Sequence, residues 1–399
     1  MRVGRGIATG ILTLTMVWAS HAAAQNVTAK GSETISINGF IGATIYAQDD
    51  SFAFGNGQSA LFPTNDSQDD PWFIDGDIRH TRVTLTMQAL KGENWSNSGV
   101  LELDFFGGYN GGGAFSDEQP IPRLRLAYAD FVYGNTRLRL GQAWSPLLGN
   151  VPVSLTHVAF PLGYGSAGLI GWRFPGLFVY HTINDMIEVQ FAAMRGSWDD
   201  GAGAATTTAG NNAAASSMIP QLQARVNVKG KIGDDMKWSA YVVGHYDRKD
   251  LSGTGDATEN NLDGYAAQFG AKVEAKLFMV QGNIYYGHAI GQNFGNLTQF
   301  GDISGWGGWL QVGVNPTDKF SAFLFAGMAD PKNSDLDPAV FGVDTRVKGT
   351  TIAALLRYKL GSAFIGLEYT HGESEKRLLA GGKNIVVGNQ IALSAMYKF

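Results

Sequence analysis

Four arginines, Arg82, Arg125, Arg139 and Arg173, carry most of the chemistry this sequence can offer. Each sits in a stretch where apolar and polar residues alternate, as in Arg82-Val83-Thr84-Leu85 and Arg137-Leu138-Arg139-Leu140. Successive side chains of a strand face opposite ways, so all four fall on the polar face of early strands. Glu102 and Asp104 occupy the same kind of face on an intervening stretch, against Leu101, Leu103 and Phe105. Guanidinium groups beside carboxylates either hold a wall together as ion pairs or, where arginine is in excess, attract anions. The span from Ala143 to Trp172 contains no Asp, Glu, Lys or Arg and offers only neutral groups such as Trp144, Ser145 and His157.

Other chemistry is absent. Gly163-Tyr164-Gly165-Ser166-Ala167-Gly168 matches a dinucleotide-binding spacing, but no strand-to-helix switch surrounds it. The histidines His80, His157, His181, His245, His288 and His371 lie far apart without metal-ligand spacing, and there is no cysteine. Asp66, Asp69, Asp70, Asp75 and Asp77 lack the ligand order of a calcium loop and read as a solvated loop. No serine–histidine pairing marks a hydrolase, so the expectation is no enzyme, no cofactor and no metal. With 28 basic residues left after Arg2 and Arg5 are set aside, against 35 acidic ones, nucleic acid is not an expected partner.

The elements that must position these residues are strands throughout. The last residues alternate strictly: Ile391, Leu393, Ala395, Tyr397 and Phe399 on one face, Gln390, Ala392, Ser394, Met396 and Lys398 on the other. A well-formed strand at the chain end, finishing on an aromatic, suits a closed barrel whose last strand pairs with its first; a soluble sandwich is the competing reading. The alternation first appears at Glu33–Tyr46 and continues through about sixteen stretches, later ones near 170–182, 185–195, 219–229, 236–247, 264–276, 277–290, 304–316, 319–329, 347–359, 362–372 and 386–399. Asp130 falls on the apolar face of its stretch and is read as a strand end. Long links (48–76, 107–122, 143–169, 196–218, 248–263, 291–303, 330–346, 373–385) alternate with tight turns such as Gly134-Asn135 and Gly361-Ser362. Greek-key sandwiches do not segregate their loops in this way. The expected fold is therefore all-β, a transmembrane antiparallel β-barrel of about 16 strands with short periplasmic turns and long extracellular loops. Aromatics near strand ends (Trp238, Tyr246, Tyr286, Tyr358, Tyr369, Phe399) suit interfacial girdles. Residues 1–24, with Arg2, Arg5, an apolar run and Ala22-Ala23-Ala24, read as a secretory signal peptide, leaving 25–399 as one barrel domain. A barrel this wide leaves water inside, so the arginines with Glu102, Asp104, Trp144 and His157 are expected to line a constriction, and 143–169 is the candidate constriction loop.

Over essentially its whole mature length the chain resembles the Gram-negative general porins. Arg82-Val83-Thr84-Leu85 running to Ala89-Leu90-Lys91-Gly92-Glu93 is similar to that family's second strand and turn, Arg125-Leu126-Ala127-Tyr128-Ala129 to its fourth, and Tyr397-Lys398-Phe399 to its closing signal. Arg137 to Ser145, with Arg173-Phe174-Pro175, looks more like the DcaP-like dicarboxylate porins, although the N-terminal coiled coil of some of those is lacking. The resemblance implies a homotrimer in the outer membrane, in contact with its lipid and lipopolysaccharide, with Arg82, Arg125 and Arg173 forming a basic constriction cluster. The charge-free 143–172 span departs from the family's acidic third loop. A loop packed on a neighbouring subunit is the alternative to one folded into the pore. The resulting expectation is a passive channel for small hydrophilic solutes that favours anions such as small carboxylates. A plugged structural or adhesive barrel, and more remotely an outer-membrane hydrolase, are the competing readings.

Overall fold

A computed structural model of the chain describes residues 25–28, 34–64, 72–88, 94–108, 120–165, 167–196, 213–251 and 261–399. The signal segment 1–24, the aspartates 66–70, the 91–93 link and most of the alanine- and threonine-rich run from Gly201 lie outside these residues. Among the described residues eighteen strands form one antiparallel sheet. In chain order they are β1 (Gln25–Thr28), β2 (Thr34–Gln48), β3 (Phe73–Asp77), β4 (Arg82–Gln88), β5 (Trp95–Asp104), β6 (Arg123–Tyr133), β7 (Thr136–Trp144), β8 (Arg173–Thr182) and β9 (Ile187–Met194). The second half comprises β10 (Gln221–Ile232), β11 (Met236–Asp250), β12 (Asn261–Glu274), β13 (Phe278–His288), β14 (Ser304–Val314), β15 (Phe320–Pro331), β16 (Thr345–Leu360), β17 (Ala363–Arg377) and β18 (Lys383–Lys398). Sixteen of them, β2 and β4–β18, pair neighbour to neighbour, and β18 closes on β2 with Leu393 opposite Ile45 and Tyr397 opposite Ile41. Gly39 and Phe399 exchange both main-chain hydrogen bonds at the seam, so the terminal aromatic is held by the first barrel strand. The sixteen-strand ladder thus closes on itself, the condition for crossing a bilayer with strands.

The alternation read from the sequence sets the two faces. Ile41, Ile45, Val242, Leu310, Leu356, Leu367 and Leu393 are exposed on the outside. Thr44, Asn227, Gln268, Gln311, Thr351 and Ser394 are buried on the inside. An apolar exterior around a polar interior is the reverse of a soluble protein and matches a lipid-facing belt.

Three details differ from the sequence reading. The link 48–76 contains β3, which pairs with the upper half of β2 while β4 pairs with the lower half. Its Phe73-Ile74-Asp75-Gly76-Asp77 alternates too briefly to stand out. The link 373–385 is largely strand: β17 and β18 stay paired as far as Arg377 and Lys383, where Glu375 and Lys383 form an ion pair. Polar side chains on both faces there imitate a loop, but the main-chain ladder continues beyond the lipid. Asp130 does not end its strand. Glu102 lies opposite Leu126 and Leu103 opposite Leu124, so Arg125 is the extra residue of a β-bulge. The bulge reverses the phase, turning Leu126 and Asp130 inward while Leu124 stays exposed.

Candidate functional site

Residues 145–165 and 167–172, between β7 and β8, lie inside the barrel and carry hydrogen bonds to inward side chains of distant strands. A row of glutamines supports the first part of this loop. Gln223 accepts from the Leu147 N–H at 2.7 Å, and Gln268 donates to the Leu147 carbonyl at 2.7 Å. Gln281 donates to Val151 O at 2.9 Å, and Gln311 both accepts from and donates to the Val153 main chain. Arg225 donates to the carbonyls of Pro146 and Leu148, clamping the start of the loop. An extended segment without charge thus satisfies its main chain against the wall, as burial requires.

The loop then meets a buried carboxylate. Glu368 on β17 accepts from Ser154 Oγ at 2.8 Å, from Leu155 N–H at 3.1 Å and from Thr156 N–H at 3.2 Å. The His157 N–H donates to Ser154 Oγ, and the Thr156 hydroxyl bonds the Ser394 hydroxyl on β18. Further on, the 163–168 glycines allow close approach to the wall. Gly168 has φ +82°, and a Cβ there would stand 2.2 Å from the Gly308 nitrogen of β14. The dinucleotide-like spacing is therefore a packing feature.

Where the loop leaves and rejoins the wall, the predicted residues assemble. Arg125 Nε lies 2.7 Å from Glu102, and its Nη1 lies 2.6 Å from Asp104. Arg123, which the sequence reading left out of the site, holds Asp104 as well, at 2.7 Å. Arg82 is 3.8 Å from Glu102 and donates to the Val158 carbonyl of the loop at 3.1 Å. Arg173 has no ion-pair partner among the described residues; its Nε and Nη1 are buried without hydrogen-bond partners. It lies over the rings of Trp144 and Trp172, at 4.9 and 4.3 Å, and Arg125 shares Trp144 at 5.7 Å. Four guanidinium groups face two carboxylates, a formal excess of two positive charges. Glu102 and Asp104 therefore do pair with the arginines, but they do not neutralise them.

Two predicted residues stand elsewhere. Arg139 pairs with Asp130 at 2.7 and 2.8 Å and covers the Tyr128 ring at 3.6 Å, towards the short-turn end of β6 and β7. The β-bulge decides this, because only the reversed phase turns Asp130 inward. His157 is buried behind the loop, in a small cavity lined by Phe52, Leu61, Pro161, Tyr164 and Gln390. It does not face the arginines. Burial holds the His157 imidazole below its usual range. For His80, in the loop before β4 and facing Thr156 O at 3.2 Å, burial lowers the pKa to about 4. Both are neutral at pH 7 and serve as packing groups.

The sequence signal for Arg123 was available, since Arg123 and Arg125 share a face. Glu368 and the glutamine row carried none, because nothing local says which polar wall residues a distant loop will reach.

A closed barrel with an apolar belt, a polar inner wall and an inserted loop defines a transmembrane β-barrel. Among solved structures, the fold is shared with outer-membrane channels and porins. The outer membrane channel DcaP of Acinetobacter baumannii is 16% identical, with TM-score 0.70, covering 94% of this chain and 99% of that one. The anion-selective porin from Comamonas acidovorans is 13% identical with TM-score 0.58, covering 92% and 100%. OmpT of Vibrio cholerae, in a trimer form, is 12% identical with TM-score 0.53, covering 92% and 99%. No family model and no curated protein matches the chain.

Proposed function

We propose that this chain is an outer-membrane porin, a water-filled channel for passive diffusion of small hydrophilic solutes that favours anions such as small carboxylates. The observation that carries the reading is the charge excess at the inserted loop: Arg82, Arg123, Arg125 and Arg173 against Glu102 and Asp104, with Arg173 unpaired among the described residues. The loop adds no charge of its own. A permeating anion exchanges part of its hydration for guanidinium N–H groups, and the field at the narrowest point sets selectivity. The negative net charge of the whole chain acts weakly there, because the field of distant charges is screened out over about 8 Å at physiological salt. In this reading residues 145–172 form the constriction, with Trp144 as its aromatic wall. Residues 1–24 are removed on export, and 25–399 form one barrel. Assembly is a homotrimer embedded among outer-membrane lipid and lipopolysaccharide; a trimeric neighbour of the same fold and the general-porin resemblance support it.

The test is reversal potential in planar bilayers under a KCl gradient, for the wild type and for Arg82→Ala combined with Arg125→Ala. The wild type should prefer chloride. The double variant leaves Glu102 with no arginine and Asp104 with Arg123 alone, so its preference should fall or reverse. Cation preference in the wild type, or unchanged selectivity in the variant, overturns the anion reading. A folded barrel that never conducts supports a plugged structural barrel instead.

A further inference from the structure

The link after β13 is packed into the barrel mouth. Ile290, Asn293, Asn296 and Leu297 are buried, and the segment 289–299 bears on the end of the inserted loop. The Asn293 carbonyl accepts from the Gly171 N–H at 2.7 Å. The Phe294 ring lies 4.5 Å from Tyr164 and 4.7 Å from Trp172, and Arg173 covers the same Trp172 at 4.3 Å. The segment therefore touches the aromatic wall beside the arginines.

Its backbone follows a path that its sequence disfavours. Seven non-glycine residues among the described residues have φ in the left-handed region, and five of them are here: Ala289 (+51°), Phe294 (+65°), Asn296 (+53°), Leu297 (+56°) and Thr298 (+58°). Of these only asparagine tolerates that region well, and the β-branched threonine is disfavoured most. Gly295 stands between Phe294 and Asn296, yet it has φ −80°, and Gly291 is not left-handed either. A sequence matched to this path would carry glycine where the backbone is left-handed. Such a conflict between local preference and tertiary path marks a segment with a second, relaxed conformation within reach.

Two catches hold the segment. Lys249, fully buried on β11, donates to Asp247 at 2.7 Å and to the Ala289 carbonyl at 2.8 Å, and Gln292 donates to the other Asp247 oxygen. At the far end Arg346 on β16 donates from two nitrogens to the Leu297 carbonyl and reaches the Thr298 hydroxyl at 3.2 Å. Strained backbone persists only where its surroundings over-determine it, and these contacts do so.

We propose that residues 289–299 are a spring-loaded strap on the constriction. Held, the strap fixes Gly171 and Trp172 beside the arginine wall; released, it relaxes out of the left-handed region and gives the channel a second, wider conducting level. The inference rests on the channel reading above and adds a conformational switch to it.

The test turns on one position. Thr298→Val and Thr298→Gly both remove the hydroxyl that Arg346 reaches; valine keeps the branched shape and the left-handed cost, and glycine removes that cost. In planar bilayers the glycine variant should occupy the wider level about three- to tenfold less than the valine variant. Ordinary packing predicts the reverse order, because glycine gives up contacts and gains freedom on release. Lys249→Met, which cuts the first catch, should raise occupancy of the wider level about tenfold or more over wild type, and Gln292→Leu is the second variant should that one not fold. Hydrogen exchange at the Gly171 amide, whose acceptor is Asn293, should rank the variants in the same order without requiring conduction. Equal or reversed ranking of the two Thr298 variants overturns the inference, as does a folded catch variant with wild-type protection at Gly171. If neither catch variant folds, the Thr298 pair decides. A folded barrel that never conducts refutes the channel reading, whereas a conducting barrel with the reversed ranking refutes the strap alone.

Discussion

Replacing Glu368 should release the inserted loop while leaving the barrel closed. Glu368 is 1% exposed and accepts from three loop donors: the Ser154 hydroxyl and the Leu155 and Thr156 N–H groups. In Glu368→Ala these donors lose their acceptor, and each buried unsatisfied donor costs roughly 1–3 kcal/mol. Part is returned because a buried carboxylate no longer needs to be held out of water. A net loss of about 4 kcal/mol corresponds to roughly a thousandfold increase in local opening. The isosteric Glu368→Gln keeps a carbonyl acceptor and should lose about 1–2 kcal/mol, the charge-assisted part of the bonds. Hydrogen exchange at the Leu155 and Thr156 amides reads this directly, because protection follows the free energy of local opening. β17 and β18 should stay protected, since their pairing from Ala363–Tyr397 to Arg377–Lys383 does not involve the carboxylate. Equal protection of Leu155 and Thr156 in wild type and Glu368→Ala would falsify the latch and assign the loop's position to apolar packing and the glutamine row alone.

Two further outcomes follow from the same loop. A released His80 titrates near 6.5, whereas the buried one titrates at about 4, so acid favours the released form. The anchored loop is unaffected above about pH 6.5 and weakens as pH falls, reaching a loss of about 3 kcal/mol near pH 4. Exchange of residues 154–158, corrected for its intrinsic pH dependence, should accelerate over that window and do so less in His80→Leu; a flat profile in wild type counts against the mechanism. Gly168→Ala should displace the loop apex, because its Cβ would meet the Gly308 nitrogen at 2.2 Å in a backbone conformation that disfavours side chains. Larger, noisier conductance steps are expected, and steps identical to wild type would show that the apex does not restrict the pore.

Period-two alternation is a local property. Leu393 and Ile45 are apolar neighbours of polar residues whatever strand they pair with, so the two faces, the sixteen barrel strands and the segregation of long loops could be read from the chain alone. The same local pattern placed Arg82, Arg125 and Arg173 on the inner wall, together with Glu102 and Asp104. What depends on pairing across the sheet was not legible. The bulge at Arg125 exists only because Glu102 and Leu103 face Leu126 and Leu124, and it turns Asp130 inward to take Arg139 away from the cluster. What depends on the loop's path was hidden further still. A charge-free segment is compatible with lying inside the barrel or against a neighbour. Its course is decided by acceptors and donors on β10, β12, β13, β14, β17 and β18, up to 238 residues away in sequence. That course buries His157 behind the loop and leaves Arg173 without a carboxylate among the described residues, because a main chain satisfied by glutamines brings no acid to the arginine wall.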